Sequence, residues 1–324
     1  MVRPVSDSPE GCAIERAKEI DHEHRRGVGS GAGGAWASVL SLRLLRTLLR
    51  RLFTPPPPSS PLSVAAPRPG CLAITFVGHA SVMLTTSRAR ILIDPHLGEF
   101  SAGIRRRERA CLHPADTQQV SLVLISHAHR DRLHLPSLRL IPRQAGLVVP
   151  PGCASLVKSL GFSAVAELAP GQTLAHADLT VTALAASHDG RRGLFGRRWR
   201  SSLGYLVQCG EETAYYAGDT AYFSGFAAIG HRFHPRVALL PIAGYQPPGQ
   251  RSQHMSPLDV VHAFADLGAE LLVPVGHGAF PMGYEPDHEP LAWLGQLCRE
   301  RGIADRLLVL RPGETRELGR PNGG

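Results

Sequence analysis

Metal-binding side chains follow one another closely in the segment LISHAHRDRLH, residues 124–134. His127, His129 and Asp131 occupy alternate positions directly after the apolar run at residues 120–125. Alternate side chains of extended backbone share one face, so this spacing predicts that all three converge at a strand end. Two imidazoles and a carboxylate are suitable ligands for zinc, manganese or iron. A lone histidine is usually structural, whereas three ligand-type residues at alternate positions after a buried strand indicate a metal site.

Three later residues of ligand type also come directly after apolar runs. They are His188 in AASHDG, Asp219 in YYAGDT and His277 in VPVGHGAF. Taken alone, His188 is equally well a surface-loop histidine, and Asp219 is more simply a turn residue after Gly218. Sheet proteins carry functional residues on the loops at strand ends, so the repeated placement favours metal ligation.

The elements that would position these residues are short strands. Apolar runs bounded by turn residues predict strands at residues 73–77, 81–85, 89–93, 120–125, 179–184, 203–208, 213–216, 237–241 and 271–275. Helices are predicted at residues 257–267 and 290–301. Strands in two groups, with helices between and after them, predict an α/β (α+β) fold: a sandwich of two mixed β-sheets flanked by helices.

The chain divides into three predicted parts. A hydrolase domain spans residues 71–315, after an N-terminal extension of residues 1–70 and before a tail of residues 316–324. Residues 1–33 are polar and glycine-rich, which predicts disorder. The proline-rich stretch at residues 55–61 predicts a stiff linker.

A basic amphipathic helix is predicted in the extension, beginning at Trp36 and ending at Phe53. Leucines fall on one side of the helical wheel, with Arg43, Arg46 and Arg50 on another. This pattern predicts peripheral contact with an anionic membrane surface. The alternatives are a helix that packs on the domain and an overextended start of the reading frame.

The composition limits the class of protein. The 324 residues are 43% hydrophobic, which is enough for one large core. The net charge of +8 permits contact with phosphates or anionic lipid, but no specific nucleic-acid partner is expected. No apolar run reaches about 18 residues, so no transmembrane helix is predicted. Six cysteines without a CxxC pair favour a reducing compartment. The predicted location is cytoplasmic, with peripheral contact at the inner face of the membrane.

Several motifs together resemble a known family. HAHRD, the later His188, the AGDT motif and the final histidine-containing loop resemble the metallo-β-lactamase superfamily. FVGHASV, ILIDP, RGLFGR, LLPIAGY and QHMSP resemble one branch of it, the N-acyl-phosphatidylethanolamine-hydrolysing phospholipase D group and its bacterial relatives. The resemblance implies an αββα sandwich, a metal site at one edge between the sheets, and a phospholipid-type phosphodiester as substrate.

The sequence departs from the family pattern at two ligand positions. The superfamily motif is HxHxDH, and Arg132 replaces its last histidine. The branch pattern P-x-H-W-G-T-F places a ligand where this chain has Gly276, with His277 one place later. Both positions would serve the same metal of a two-metal centre. For the other metal, the resemblance implies that the ligands His127, His129 and His188 are all present. Asp219 is able to bridge the two metals. A guanidinium stays protonated and cannot ligate.

Three interpretations of these departures remain open at this stage. The protein works with one metal, and Arg132 stands in for the charge of the second. Alternatively, a second site is rebuilt from Asp131, Asp219 and a displaced His277 or His134. Or the chain has lost catalysis and is a binding protein of the same fold.

The resemblance also bears on three further residues. His79 and Asp94 match family motifs, and an outer role is favoured over ligation for both. Metal-bound histidines need an acceptor that fixes their tautomer, and Asp94 suits that task. His254, in QHMSP, is implied to be an active-site histidine, and the alternative is a structural contact before the helix at Pro257.

The mechanism implied is metal-dependent hydrolysis with zinc (one or two ions), or with manganese or iron. A metal at this site would lower the pKa of a bound water, and the resulting hydroxide would attack phosphorus or a carbonyl carbon. Asp131 would accept a proton or orient the water. Arg132 or His254 would hold an anionic oxygen. The predicted substrate is a small molecule or lipid with a phosphodiester. A lactone or other carboxylic ester is the second candidate, because fold alone does not choose between them.

Overall fold

The computed structural model describes residues 55–57, 63–192 and 201–319. The predicted amphipathic helix from Trp36 to Phe53 and most of the RGLFGR motif lie outside the described residues. Within the described ranges, no helix is both long and apolar enough to cross a lipid bilayer.

The described residues form strands and short helices in alternation. The strands are β1 (Leu72–Gly78), β2 (Ser81–Thr85), β3 (Arg90–Ile93), β4 (Phe100–Ser101), β5 (Ile104–Arg105), β6 (Leu122–Leu124), β7 (Gly146–Val149), β8 (Ala164–Glu167), β9 (Thr173–His176), β10 (Leu179–Ala185), β11 (Leu203–Cys209), β12 (Glu212–Tyr216), β13 (Val237–Pro241), β14 (Leu271–Val275) and β15 (Thr315–Leu318). The α-helices are α1 (Pro114–Thr117), α2 (Leu135–Leu138), α3 (Ala154–Val157), α4 (Gly225–Phe233), α5 (Pro257–Leu267) and α6 (Glu289–Glu300). Short 3₁₀ helices are Lys158–Leu160, Pro248–Ser252 and Ala304–Arg306.

Two mixed sheets make the body of the fold. The first has the strand order β15-β1-β2-β3-β6-β7-β8; its strands are antiparallel from β15 to β3 and parallel from β3 to β8. The second has the order β14-β13-β12-β11-β10-β9, antiparallel from β9 to β12 and parallel from β12 to β14. The αββα sandwich of two mixed sheets that the sequence predicts is therefore confirmed.

The largest apolar core lies between the two sheets. In β1, Ile74 and Phe76 belong to this core together with Val181 of β10 and Leu239 of β13. Val77, the next residue of β1, belongs instead to the apolar layer on the opposite face of the first sheet. Because both faces of the central strands are covered, these strands appear in the sequence as continuous apolar runs.

Helices cover the two outer faces of the sandwich. On the second sheet, Phe226 of α4 and Phe264 of α5 pack in one cluster with Leu240 of β13. On the first sheet, Leu138 of α2 and Val157 of α3 pack in the cluster that contains Val77. The helices therefore close both layers and leave the strand ends to form loops at the edges.

Sequence patterns missed β8, β9 and β15, which are three of the four edge strands of the two sheets. Edge strands bury little apolar surface, and these three consist mostly of exposed or half-buried residues. The predicted domain end at residue 315 falls inside β15, which pairs with β1 and continues to Leu318. Residues 316–318 thus belong to the first sheet. The short β7 and the helix α4 were also missed.

Candidate metal centre

Loops from both sheets meet at one edge of the sandwich. β6 of the first sheet leads into His127 and His129, while β10 and β12 of the second lead into His188 and Asp219. Gly218 makes the turn before Asp219 with a φ of +66°, and a Cβ there would lie 2.6 Å from the carbonyl oxygen of Leu203. Only glycine fits this turn without a shift of the backbone.

Three imidazoles converge at this edge. Nδ1 of His129 lies 3.1 Å from Nε2 of His127 and 3.3 Å from Nε2 of His188. The three atoms all lie within 4.8 Å of one another. Two nitrogens bound to one tetrahedral zinc at about 2.0–2.1 Å are roughly 3.4 Å apart, so the spacing is that of a ligand set.

Hydrogen bonds fix which nitrogen of two of these rings carries the proton. Oγ of Ser126 lies 2.5 Å from Oδ2 of Asp94 and 2.9 Å from Nδ1 of His127. An ionised carboxylate only accepts, so the hydroxyl donates to Asp94 and Nδ1–H of His127 donates to the hydroxyl oxygen. Nδ1 of His188 donates to the carbonyl oxygen of Gln253 at 2.9 Å. Both rings thereby keep the lone pair on Nε2, which faces the other histidines.

Asp94 is buried and holds Ser126 in place by hydrogen bonds. It accepts the backbone N–H of Ser126 at 2.7 Å and the hydroxyl of Tyr216 at 2.7 Å, besides the Ser126 hydroxyl. Burial raises the pKa of Asp94 to about 6, although Arg132 and these hydrogen bonds favour its charged form. The carboxylate therefore remains ionised at neutral pH and can only accept.

The charge state of His127 and His129 suits a metal. Burial lowers the pKa of His127 well below its usual value, and it also lowers the pKa of His129. These two imidazoles are then neutral, which is the form that coordinates metal. Nitrogen donors of this kind fit zinc, and they also suit iron.

The backbone after His129 does not continue as a strand. The carbonyl oxygen of His129 accepts the N–H groups of both Arg132 and Leu133, at 3.1 and 2.8 Å. This hydrogen-bonded turn replaces the extended backbone that the alternate spacing predicted. Asp131 consequently does not join the three histidines; its Oδ2 contacts Nε2 of His79, at 3.1 Å, and the Arg132 guanidinium. The side chain of Asp131 keeps 20% of its surface exposed.

Arg132 is wholly buried and is surrounded by the carboxylates of Asp94, Asp131 and Asp219. Its Nη2 donates to Oδ1 of Asp219 at 2.6 Å, and its Nη1 contacts Asp131 and Nε2 of His79. Its Nε lies 3.8 Å from Oδ2 of Asp94. Burial opposes the charge of Arg132, but the carboxylates outweigh it and raise its pKa. The same guanidinium holds the pKa of Asp131 and of Asp219 well below the usual range, against the effect of burial.

Gly276 lies beside the guanidinium. A Cβ at this position would lie 3.9 Å from Nη2 of Arg132 and 3.5 Å from Cβ of Pro241. A longer side chain at residue 276 would therefore approach the volume that Arg132 fills. The two departures from the family motif, Arg132 and Gly276, are therefore neighbours in space.

Asp219 and His254 lie next to the three histidines. Oδ2 of Asp219 is 3.5 Å from Nε2 of His127, while its other oxygen holds Arg132. The ring of His254 packs edge-on against His188, with centroids 4.9 Å apart, and its Nδ1 is buried without a hydrogen-bond partner. Burial, together with His188 and Arg132, lowers the pKa of His254 to about 4.

The remaining sequence-predicted histidines lie elsewhere. His277 stacks on Phe76, with centroids 5.6 Å apart, and is not part of the three-histidine group. His134 contacts Oγ of Ser137 through Nδ1 and stacks on His96. His79 contacts Arg132 and Asp131 rather than the three histidines.

Sequence reasoning missed Ser126, Tyr216 and the backbone carbonyl of Gln253. Ser126 had a detectable signal, because a hydroxyl directly before a ligand histidine can reach its ring. The contacts of Tyr216 and Gln253 had no such signal, since they cross 122 residues to Asp94 and 65 residues to His188.

Comparison with known proteins shows the family of this chain. A family model described as a beta-lactamase superfamily domain matches residues 89–277. A metal-dependent hydrolase of Rubrobacter xylanophilus is 32% identical over 266 residues, which cover 77% of this chain and 97% of the relative. The mitochondrial N-acyl-phosphatidylethanolamine-hydrolyzing phospholipase D of Saccharomyces cerevisiae is 29% identical over 258 residues, which cover 74% of this chain and 55% of that protein.

Solved structures show the same fold. An isothiocyanate hydrolase from gut bacteria of Delia radicum superposes with a TM-score of 0.63 at 23% sequence identity, covering 75% of this chain and 98% of that one. At this identity the likeness concerns the fold and does not extend to the substrate.

Proposed function

This chain belongs to the metallo-β-lactamase superfamily and is a metal-dependent hydrolase, and we propose that it cleaves a phosphodiester with one tightly held metal ion. The observation that carries the proposal is the convergence of three imidazoles next to a buried guanidinium, which belongs to one of the two positions where the family pattern has its missing ligands and lies beside the other.

The metal ligands we propose are Nε2 of His127, Nδ1 of His129 and Nε2 of His188, with Oδ2 of Asp219 beside them. When bound, the metal would supply Lewis acidity that polarises the scissile bond and brings the pKa of water towards neutrality. Zinc is the metal that three imidazoles and one carboxylate fit best.

Arg132 acts on this site through its neighbours. Its side chain is fully buried and its terminal nitrogens are held by Asp131, Asp219 and His79, so no part of it reaches a substrate. We therefore assign it a positioning role in place of the oxyanion role that its sequence position suggested. Its charge neutralises two carboxylates that a second metal would otherwise neutralise, and it holds Asp219 at the edge of the ligand set.

Two side chains remain free to act on water and substrate. Asp131 is the partly exposed carboxylate, and we propose that it orients the attacking water through the oxygen that does not hold Arg132. His254 packs against the ligand His188 with an unpaired Nδ1. We propose that this ring donates a hydrogen bond to an oxygen of the substrate as negative charge develops there.

The substrate class rests on the relatives. Phospholipase D enzymes that hydrolyse N-acyl-phosphatidylethanolamine align with 74% and 65% of this chain. This likeness favours a phosphodiester over a lactone or other carboxylic ester, which is the alternative substrate on the same fold.

The test combines metal analysis with a substrate panel. Purified protein is assayed against bis(p-nitrophenyl) phosphate, N-acyl-phosphatidylethanolamine, a lactone and a thioester, and its metal is measured by elemental analysis. We expect about one metal per chain, with hydrolysis of the phosphodiesters in preference to the others. Hydrolysis of the lactone alone would contradict the substrate assignment. Protein that holds no metal and cleaves nothing would indicate a binding protein of this fold.

Two substitutions locate the activity. His188→Ala removes one of the three imidazoles and should abolish both tight metal binding and hydrolysis. His231→Ala, which changes an exposed histidine of α4, should retain both. A His188→Ala protein with full metal content would show that His188 is a loop residue and that the ligand set is different.

A further inference from the structure

A cleft of about 300 Å³ lies on the outer side of the loop that carries the metal ligands. Its walls include Arg130, Arg139 and Arg192, together with His134 and Phe100. Arg130 stands in the chain between His129 and Asp131, so the cleft and the candidate metal centre share one loop. The metal site proposed above uses none of the five lining residues named here.

The cleft is strongly cationic. None of its lining residues is acidic, and Arg130 and Arg139 are exposed side chains that form no ion pair within the described part of the chain. Arg192 is held in place, because its Nη1 donates to the carbonyl oxygens of Ala128 and Leu133 at 2.8 and 3.0 Å. Arg192 thereby connects the loop after His188 with the loop of His127 and His129. It also adds a positive charge to the lining of the cleft.

The positive charge around the cleft also acts on His134. Burial, together with the guanidinium groups of Arg192 and Arg106, lowers the pKa of this ring to about 4. Like charges that share a concave surface attract anions more strongly than the same charges spread over a convex one. Such a cleft gains stability when an anion enters it.

Part of the lining is apolar. Phe100 of β4 keeps 46% of its surface exposed, and Leu135 and Pro136 line the cleft beside it. Leu140, the residue directly after Arg139, is 54% exposed. Exposed apolar side chains beside unpaired arginines match a ligand that is anionic at one end and apolar at the other.

We propose that this cleft binds the phosphate group of an amphiphile, with the guanidinium groups of Arg130 and Arg139 on the phosphate oxygens and Phe100 against the apolar part. Guanidinium groups form paired, charge-assisted hydrogen bonds with phosphate oxygens, which single point charges do not. This inference goes beyond the proposed function, because it concerns a second anion site and does not depend on which bond the metal centre cleaves.

The experiment measures binding of octyl phosphate and of inorganic phosphate to the metal-loaded full chain by titration calorimetry. The variant carries Arg130→Gln and Arg139→Gln. The control carries Arg88→Gln and Arg232→Gln, two exposed arginines outside the cleft, so both proteins lose the same net charge. Phosphate that binds at the metal centre is common to all three proteins, and the difference between them reports the cleft.

We expect octyl phosphate to bind the cleft variant about tenfold or more weakly than the wild type or the control, since two charge-assisted contacts are lost. Phe100→Ser should weaken octyl phosphate binding without changing that of inorganic phosphate. Vesicles of phosphatidylcholine with and without phosphatidate separate a lipid surface from a soluble amphiphile as the source of the phosphate. Weaker binding of octyl phosphate or of the phosphatidate vesicles, seen in the cleft variant and not in the control, supports the site.

Equal binding by the cleft variant and the wild type, or equal losses in the cleft and control variants, would overturn the proposal. The outcome is independent of the proposed hydrolysis, because a chain that cleaves no phosphodiester can still show or lack this binding. Bound metal, measured on the same samples, should be the same in all of them.

Discussion

Nη2 of Arg132 lies 2.6 Å from Oδ1 of Asp219, and both side chains are buried. This ion pair connects the loop after β6 in the first sheet with the turn after β12 in the second. The guanidinium also holds Asp131, so one cation neutralises two carboxylates at the edge of the candidate metal centre.

Arg132→Ala should destabilise the fold strongly. It leaves Asp219 buried without its cation, and an unpaired buried charge costs about 3–5 kcal/mol. Denaturant unfolding of the wild type and the variant measures the free energy of unfolding. Arg107→Ala, which removes a mostly exposed ion pair with Asp287, should have a much smaller effect. Equal stabilities of the Arg132→Ala protein and the wild type would show that the guanidinium is not needed.

The space that Arg132 fills should accept a second metal when the family residues are restored. The protein with both Arg132→His and Gly276→His should bind about two metals per chain, whereas the Arg132→His protein should remain near one. Gly276 has a φ of +73°, so a histidine there costs about 1–2 kcal/mol of strain, although its Cβ meets only ordinary contacts. Elemental analysis measures the metal content of both proteins. One metal per chain in the double variant would contradict the prediction.

Ser126→Ala should weaken metal binding while the fold remains intact. The substitution removes the oxygen that accepts Nδ1–H of His127, so the tautomer with the lone pair on Nε2 is no longer enforced. Loss of such an outer contact lowers metal affinity roughly 10- to 100-fold. Competition with a chelator measures the affinity, and circular dichroism checks the fold. Ser252→Ala removes an exposed hydroxyl and serves as the control; unchanged affinity in Ser126→Ala would reject the tautomer argument.

The segment from Trp36 to Phe53 should bind anionic vesicles in a salt-sensitive manner. Its arginines beside a leucine face predict electrostatic attraction that weakens as ionic strength rises. Cosedimentation with phosphatidylserine vesicles compares the full chain with one that begins at Ala65. If both chains bind equally well at low salt, this segment is not the membrane contact.

Several features of the protein followed from the sequence alone. The strands covered on both faces were predictable because their apolar runs persist whatever their neighbours are, and β2, β13, β14 and α5 begin and end where the patterns indicated. His127, His129 and His188 were predictable as a group because each follows such a run, and strand order in a sandwich brings those ends to one edge. The edge strands β8, β9 and β15 escaped prediction because most of their residues are exposed or half-buried and leave no apolar run, whereas the edge strand β14 is buried along most of its length.

The directions of the side chains were decided only by the tertiary structure. Two backbone N–H groups donate to the carbonyl oxygen of His129, and the resulting turn ends the extended backbone. Asp131 therefore does not lie with the three histidines, although its spacing had predicted that it would. Whether Arg132 points to solvent or into the protein depends on Asp219, which is 87 residues away, and on Asp94, which is 38 positions before it in the chain. Burial of a charge is favourable only when partners from distant segments surround it, and no local pattern encodes that condition.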